Sequence, residues 1–198
     1  YGVSRYDVKS RTLQSLPPIS IVSALLPDVD AATGQSRVWI GGSTASALLF
    51  EPESGTWQHH SPGRDFTETS VNAMWRDRDG TLWFGTNQGL WMYAPSGAAT
   101  ASGAASATPV APAAAAVTGT SGTSGGWRRV DSDQPRPVIL SLLRTHSGEL
   151  WVGTATGILA CSGTCEKWNN PSNVQTLRRA AVYALTESSD GVVWIASD

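Results

Sequence analysis

The chain has 198 residues, of which 40% are apolar and only 15% charged, and its formal net charge is -2. It has no basic surplus to neutralise a phosphate backbone, which argues against nucleic acid as a partner. Two cysteines are too few for a disulfide scaffold or a four-cysteine zinc site, and no apolar run approaches the roughly 18 residues of a membrane span.

In chain order, the opening at Tyr1 shows no charged or apolar leader, and the first residues read as the interior of a domain cut from a longer protein. Residues 2–6 and 12–16 form a first pair of short strands. Residues 21–26 lead through a long loop (28–37) to a strand around Trp39, and a later strand carries Trp57. The next unit has an alternating run at 71–75, an Asp79-Gly80 turn, a strand at 82–86, Gly89, a strand at 90–93 and a fourth strand with Trp127. The same parts return at 138–143, Gly148, 150–154, Gly157, 158–161 and Trp168. The chain ends on two strands, 182–187 and 193–197, joined at Asp190-Gly191.

Four segments fall into register on their central tryptophans, Trp39, Trp83, Trp151 and Trp194, at spacings of 44, 68 and 43 residues. The one long spacing is explained by residues 96–126, a 31-residue stretch of Ala, Gly, Ser, Thr, Pro and Val without charge or aromatic. Such a segment buries too little apolar area to offset its ordering entropy and is expected to be a disordered insertion between strands three and four. A unit of four antiparallel strands in about 43 residues defines a β-propeller blade. The fold class is therefore all-β, a partial propeller of three complete blades and two half-blades, with boundaries near 1–16 (half), 19–60, 71–130, 138–169 and 182–198 (half). The small residues Ala24, Ala73, Ser141 and Ala184 recur in strand one, where blades crowd at the axis. The central tryptophans are expected in the core between blades. Closing four blades into a ring, by pairing 2–6 with 193–197, would need steep angles at every seam, so an open arc is expected.

The run from Arg76 to Leu90 resembles the repeat of two-component-regulator propellers, and 142–158 is similar to it; the match is partial at 184–197, where Ala196-Ser197 replaces Gly-Thr, and loose at 25–49. The resemblance implies the extracytoplasmic, periplasmic sensor region of a bacterial histidine kinase, hybrid kinase or diguanylate cyclase, non-catalytic in itself. It further implies, as partners, the rest of the propeller, downstream membrane-anchored signalling domains and an unidentified small-molecule or oligosaccharide ligand. Two alternatives remain: a streptogramin-lyase-type enzyme, since Asp79 to Phe84 fits the Asp-Gly-x-Leu-Trp-Phe element of those propellers, and a protein-interaction propeller.

The sequence offers no catalytic constellation, and no cofactor is expected. His59 and His60 end a fourth strand whereas His146 lies in a turn on the opposite face, so a shared metal site is not expected. Asp77 and Asp79 read as capping carboxylates of a hairpin turn. Cys161 and Cys165 flank a three-residue turn between strands three and four, where opposed positions suit a disulfide; two reduced thiols are the alternative, and the periplasmic context implied by the resemblance favours the bond. Loops from strand four to strand one and from strand two to strand three gather on one face of a propeller. They nominate Arg64, Asp65, Asn87, Gln88, Arg136, Arg178 and Arg179 as ligand-binding candidates.

Overall fold

The structure, a computed structural model, describes residues 2–16, 21–30, 32–43, 46–62, 69–94, 126–130, 136–169, 177 and 179–198. The expected insertion at 96–126, except Gly126, lies outside the described residues. Among the described residues, sixteen strands are arranged in five antiparallel sheets. A hairpin of β1 (Ser4–Asp7) and β2 (Thr12–Ser15) comes first. The first blade is β3 (Val22–Val29), β4 (Ser36–Gly42), β5 (Ala47–Glu51) and β6 (Thr56–His60). The second is β7 (Val71–Arg76), β8 (Leu82–Thr86), β9 (Gly89–Ala94) and β10 (Gly126–Val130). The third is β11 (Ile139–Arg144), β12 (Glu149–Thr154), β13 (Gly157–Ser162) and β14 (Trp168–Asn169). A closing hairpin, β15 (Val182–Glu187) and β16 (Val193–Ser197), supplies the first two strands of a fourth blade.

Among the described residues β1 pairs only with β2 and β16 only with β15. No ladder joins the two hairpins, so the blades form an arc and not a ring. The β1–β2 hairpin packs on the first blade through Val3 and Leu16, which touch the cluster of Ile40, Leu48 and Phe50.

Cores lie between blades, not within them, because each sheet is only one layer thick and must bury both faces against neighbours. Trp39 of the first blade packs with Val71, Leu82, Phe84 and Tyr93 of the second, its ring 5.6 Å from Phe84 and 5.9 Å from Tyr93. Trp83 of the second blade packs in the same way against Leu142, Leu150 and Val152 of the third. Burial of the central tryptophan depends on the next blade: Trp39 is 1% exposed, Trp83 2% and Trp194, with no blade beyond it among the described residues, 64%.

The Trp-x-Gly-Thr element of strand two has a separate reason for each residue. Gly41, Gly85 and Gly153 sit where the innermost strand of the next blade crosses. A Cβ on Gly41 would lie 2.7 Å from Val71 Cγ1, one on Gly85 closer still to Ile139 Cγ2, and one on Gly153 2.7 Å from the Val182 carbonyl oxygen. The threonines after Gly85 and Gly153 are buried and close the turn into strand three: Thr86 donates to the Gly89 carbonyl (2.7 Å) and Thr154 to that of Gly157 (2.9 Å). Gly153→Ala is expected to cost about 1–3 kcal/mol, because the added Cβ meets first the Ser141 hydroxyl of its own blade and then the Val182 backbone carbonyl, which yields only if β15 moves. Urea unfolding checks this, and a cost under about 0.5 kcal/mol would mean that the seam yields freely.

Strand one carries the same irregularity in every blade, a register shift at Val22/Ala24, Val71/Ala73, Ile139/Ser141 and Val182/Ala184. The small residues expected at the axis come directly after this bulge, and Ser141 uses its hydroxyl to reach the next blade, donating to the Val182 carbonyl at 3.0 Å.

Cys161 and Cys165 are joined by a disulfide with Cα atoms 4.9 Å apart. The local geometry differs from opposed strand positions: Cys161 lies opposite Trp168 in the β13–β14 ladder, and Cys165 belongs to the turn, at φ 60°. The turn needs a left-handed residue there, and the covalent link holds it. Both sulfur-bearing residues are buried in the seam with the second blade, whose Arg128 donates to the Thr164 carbonyl at 2.9 Å. Closing so short a loop stabilises by about 2 kcal/mol in the chain-entropy picture. Unreduced, denatured protein from an oxidising compartment is expected to show no free thiol on labelling, and two labelled thiols would refute the bond.

Candidate functional site

Three of the seven loop candidates, Arg64, Asp65 and Arg178, lie outside the described residues. Gln88 and Arg136 come together at the seam of the second and third blades. They line a cleft of about 40 Å³ with Leu90, Val130, Ile139 and Trp168, room for a few waters and far short of the few hundred Å³ of a small-molecule pocket. Asn87 is committed to the scaffold, accepting the Ser70 N–H on Oδ1 at 2.9 Å while its own N–H donates to the Ser70 carbonyl. Arg179 adopts φ 83° and donates its N–H to the Thr156 carbonyl, tying the loop before β15 to the β12–β13 turn.

The larger opening lies on the other face. A groove of about 600 Å³ runs past the ends of β7, β11 and β15, and its lining includes Trp75, Arg76, Asp77, Arg78, Asp79, Arg144, His146 and Glu187. These residues come from the innermost strand and the turn after it in three consecutive blades, which is why the groove follows the axis.

Its charges form a repeating seam. The ladders place Leu26 opposite Trp39, Trp75 opposite Trp83, and Leu143 opposite Trp151; two residues further along stand Asp28, Asp77 and Thr145. Asp28 accepts the Trp39 indole N–H (3.1 Å) and Arg37 Nε (2.8 Å), and pairs with Arg76 of the next blade. Asp77 accepts indole N–H groups from Trp83 (2.7 Å) and Trp75 (3.2 Å) and is gripped by Arg144 of the next blade, Nε at 2.9 Å and Nη2 at 2.5 Å. The same guanidinium lies 5.3 Å from the Trp83 ring centroid. A carboxylate thus satisfies the buried indole of its own blade and holds the arginine of its neighbour.

At the third seam the polarity reverses. Thr145 replaces the aspartate, and Glu187 stands where Arg76 and Arg144 stand in the earlier blades. Its carboxylate turns back to accept the His146 backbone N–H (2.7 Å) and faces His146 Nδ1 at 2.9 Å. Asp77 is therefore more than a turn cap, the role its place before Gly80 suggests. Reading the sequence alone misses its inter-blade partner because Arg144 lies 67 residues away. No group of three His, Cys, Asp or Glu side chains that could hold a metal ion occurs among the described residues.

Single-layer blades of four antiparallel strands, stacked face to face with their first strands along an axis, make this a β-propeller protein. Within it, residues 65–88 match the two component regulator propeller family, the family that the repeat resembles. No protein of curated function matches the chain. Among solved structures, selenomethionine-substituted virginiamycin B lyase from Staphylococcus aureus is similar at a TM-score of 0.61 and 9% identity, over 98% of this chain and 55% of that one. A streptogramin B lyase is similar at a TM-score of 0.60 and 14% identity, over 98% and 54%. PorZ, a bacterial surface component of the type-IX secretion system of Porphyromonas gingivalis, is similar at 0.54 and 15% identity, over 89% and 24%. The chain spans about half the length of the two lyases, and at these identities the likeness is one of fold.

Proposed function

We propose that this chain is part of the extracytoplasmic, ligand-sensing propeller of a bacterial membrane-bound signalling receptor and performs no catalysis itself. The observation that carries the reading is the family match at residues 65–88, a repeat that is a folding unit of regulator propellers. The Cys161–Cys165 bond supports it, because disulfides persist in oxidising compartments. The ligand would be a small molecule or an oligosaccharide. The loop face with Arg64, Asp65, Asn87, Gln88, Arg136, Arg178 and Arg179 and the axial groove on the opposite face are the two places for it, and the groove has the volume.

The complete coding sequence tests the proposal. A membrane-spanning segment followed by a kinase or cyclase region is the expected result, and a frame with neither overturns it. Likeness to lyases rests on the fold, which hosts many functions; turnover of a cyclic depsipeptide lactone by the purified chain would replace the sensor reading with an enzymatic one.

A further inference from the structure

We propose that His60 makes the seam between the first two blades acid-responsive: on protonation its imidazole leaves the seam and uncovers Trp39 and Tyr93. His60 ends β6 and inserts its ring between the blades, 4.7 Å from the Trp39 ring and 5.8 Å from that of Tyr93. Both ring nitrogens are shut off from solvent, and neither has a hydrogen-bond partner. The imidazole therefore serves as a neutral wedge held by packing alone.

The equivalent position in the second blade shows what this place ordinarily takes. His60 lies opposite Ala47 in the β5–β6 ladder as Val130 lies opposite Leu90 in the β9–β10 ladder. Trp39 and Trp83, opposite Leu49 and Met92, put the two ladders in the same frame. Val130 is buried in the next seam among apolar residues. A histidine here copies the shape of an apolar wedge and adds a titration that valine lacks.

Among the described residues, a proton arriving on His60 finds no acceptor to hold it. The charged groups among the described residues that act on the ring are Arg37 from β4 and His59 from its own strand, and both oppose a second positive charge. Arg37 is engaged by Asp28 (2.8 Å) and Asp30 (2.5 Å), so neither carboxylate turns toward the ring. Tyr93, facing from β9, is held neutral by burial, which pushes its phenol up. Burial first, then Arg37 and His59, hold the imidazole below its ordinary value.

The folded pKa is thus the lower of the two. The stability supplied by the neutral wedge is complete above about pH 6.5 and is lost as pH falls below it, because the released ring binds the proton more tightly than the inserted one. Each unit of pH below that point raises the ring-out population about tenfold, until the folded pKa is reached.

The test is acrylamide quenching of tryptophan emission, together with thermal unfolding, on the 198-residue chain between about pH 8 and pH 5. The expected result is a reversible rise in quenching and a fall in Tm below about pH 6.5. His60→Val, which installs the second blade's residue, removes both changes, while His146→Gln leaves both in place. His60→Gln serves if the valine variant does not fold, since glutamine does not titrate. A wild-type chain that is flat across this range overturns the proposal, and so does a transition that survives in His60→Val or His60→Gln.

Discussion

Replacing Trp83 with alanine is expected to destabilise the chain by about 3–5 kcal/mol, whereas the same change at Trp194 costs less than about 1 kcal/mol. The two residues hold the same place in the repeat and differ in what lies beyond them. Trp83 is 2% exposed against the third blade and Trp194 is 64% exposed. Burying such a ring removes on the order of 200 Å² from water, and truncating it also opens a cavity that the rigid neighbouring sheets cannot fill. Urea titration of both variants gives the comparison. Equal losses would mean that the last hairpin packs against something that covers it in solution, such as another copy of the chain.

Asp77→Ala is expected to cost about 3 kcal/mol, more than any turn cap contributes. The change strands Arg144, whose side chain is 16% exposed, and leaves two indole N–H groups without an acceptor. Asp77→Asn keeps an acceptor for one indole but gives Arg144 no charge, so it falls between wild type and alanine. Double-mutant cycles with Arg144→Met isolate the inter-blade part: the second change adds little once Asp77 is gone if the two act as a pair. Independent, additive losses would reduce Asp77 to its turn.

The tryptophan spacing, the Asp-Gly turns and the recurrent small residues of strand one made the blades and their order legible in the sequence, because these features act within one blade and recur at fixed offsets. Seam chemistry was hidden for the opposite reason. Asp28 and Asp77 coincide only when counted across the ladder from Trp39 and Trp83, and the long turn of the first blade removes the offset that would align them along the chain. The equivalence of His60 and Val130 is concealed by the 96–126 segment, which shifts one relative to the other. Loop candidates chosen by charge and face were the least legible part: the structure brings Gln88 and Arg136 together and assigns Asn87 to holding a turn.

The glycine of strand two works as a spacer of zero thickness, and its absence from the fourth blade makes the blades non-interchangeable. Where Gly41, Gly85 and Gly153 let the next innermost strand lie against the backbone, the fourth blade has Ala196. Any strand crossing β16 as β15 crosses β12 would meet that methyl, so such a seam would be wider than the three before it. A propeller rebuilt by duplicating the second blade would be tighter and more symmetric than one that keeps β15–β16. Irregular pitch of this kind is written one methyl group at a time into strands that otherwise look like copies.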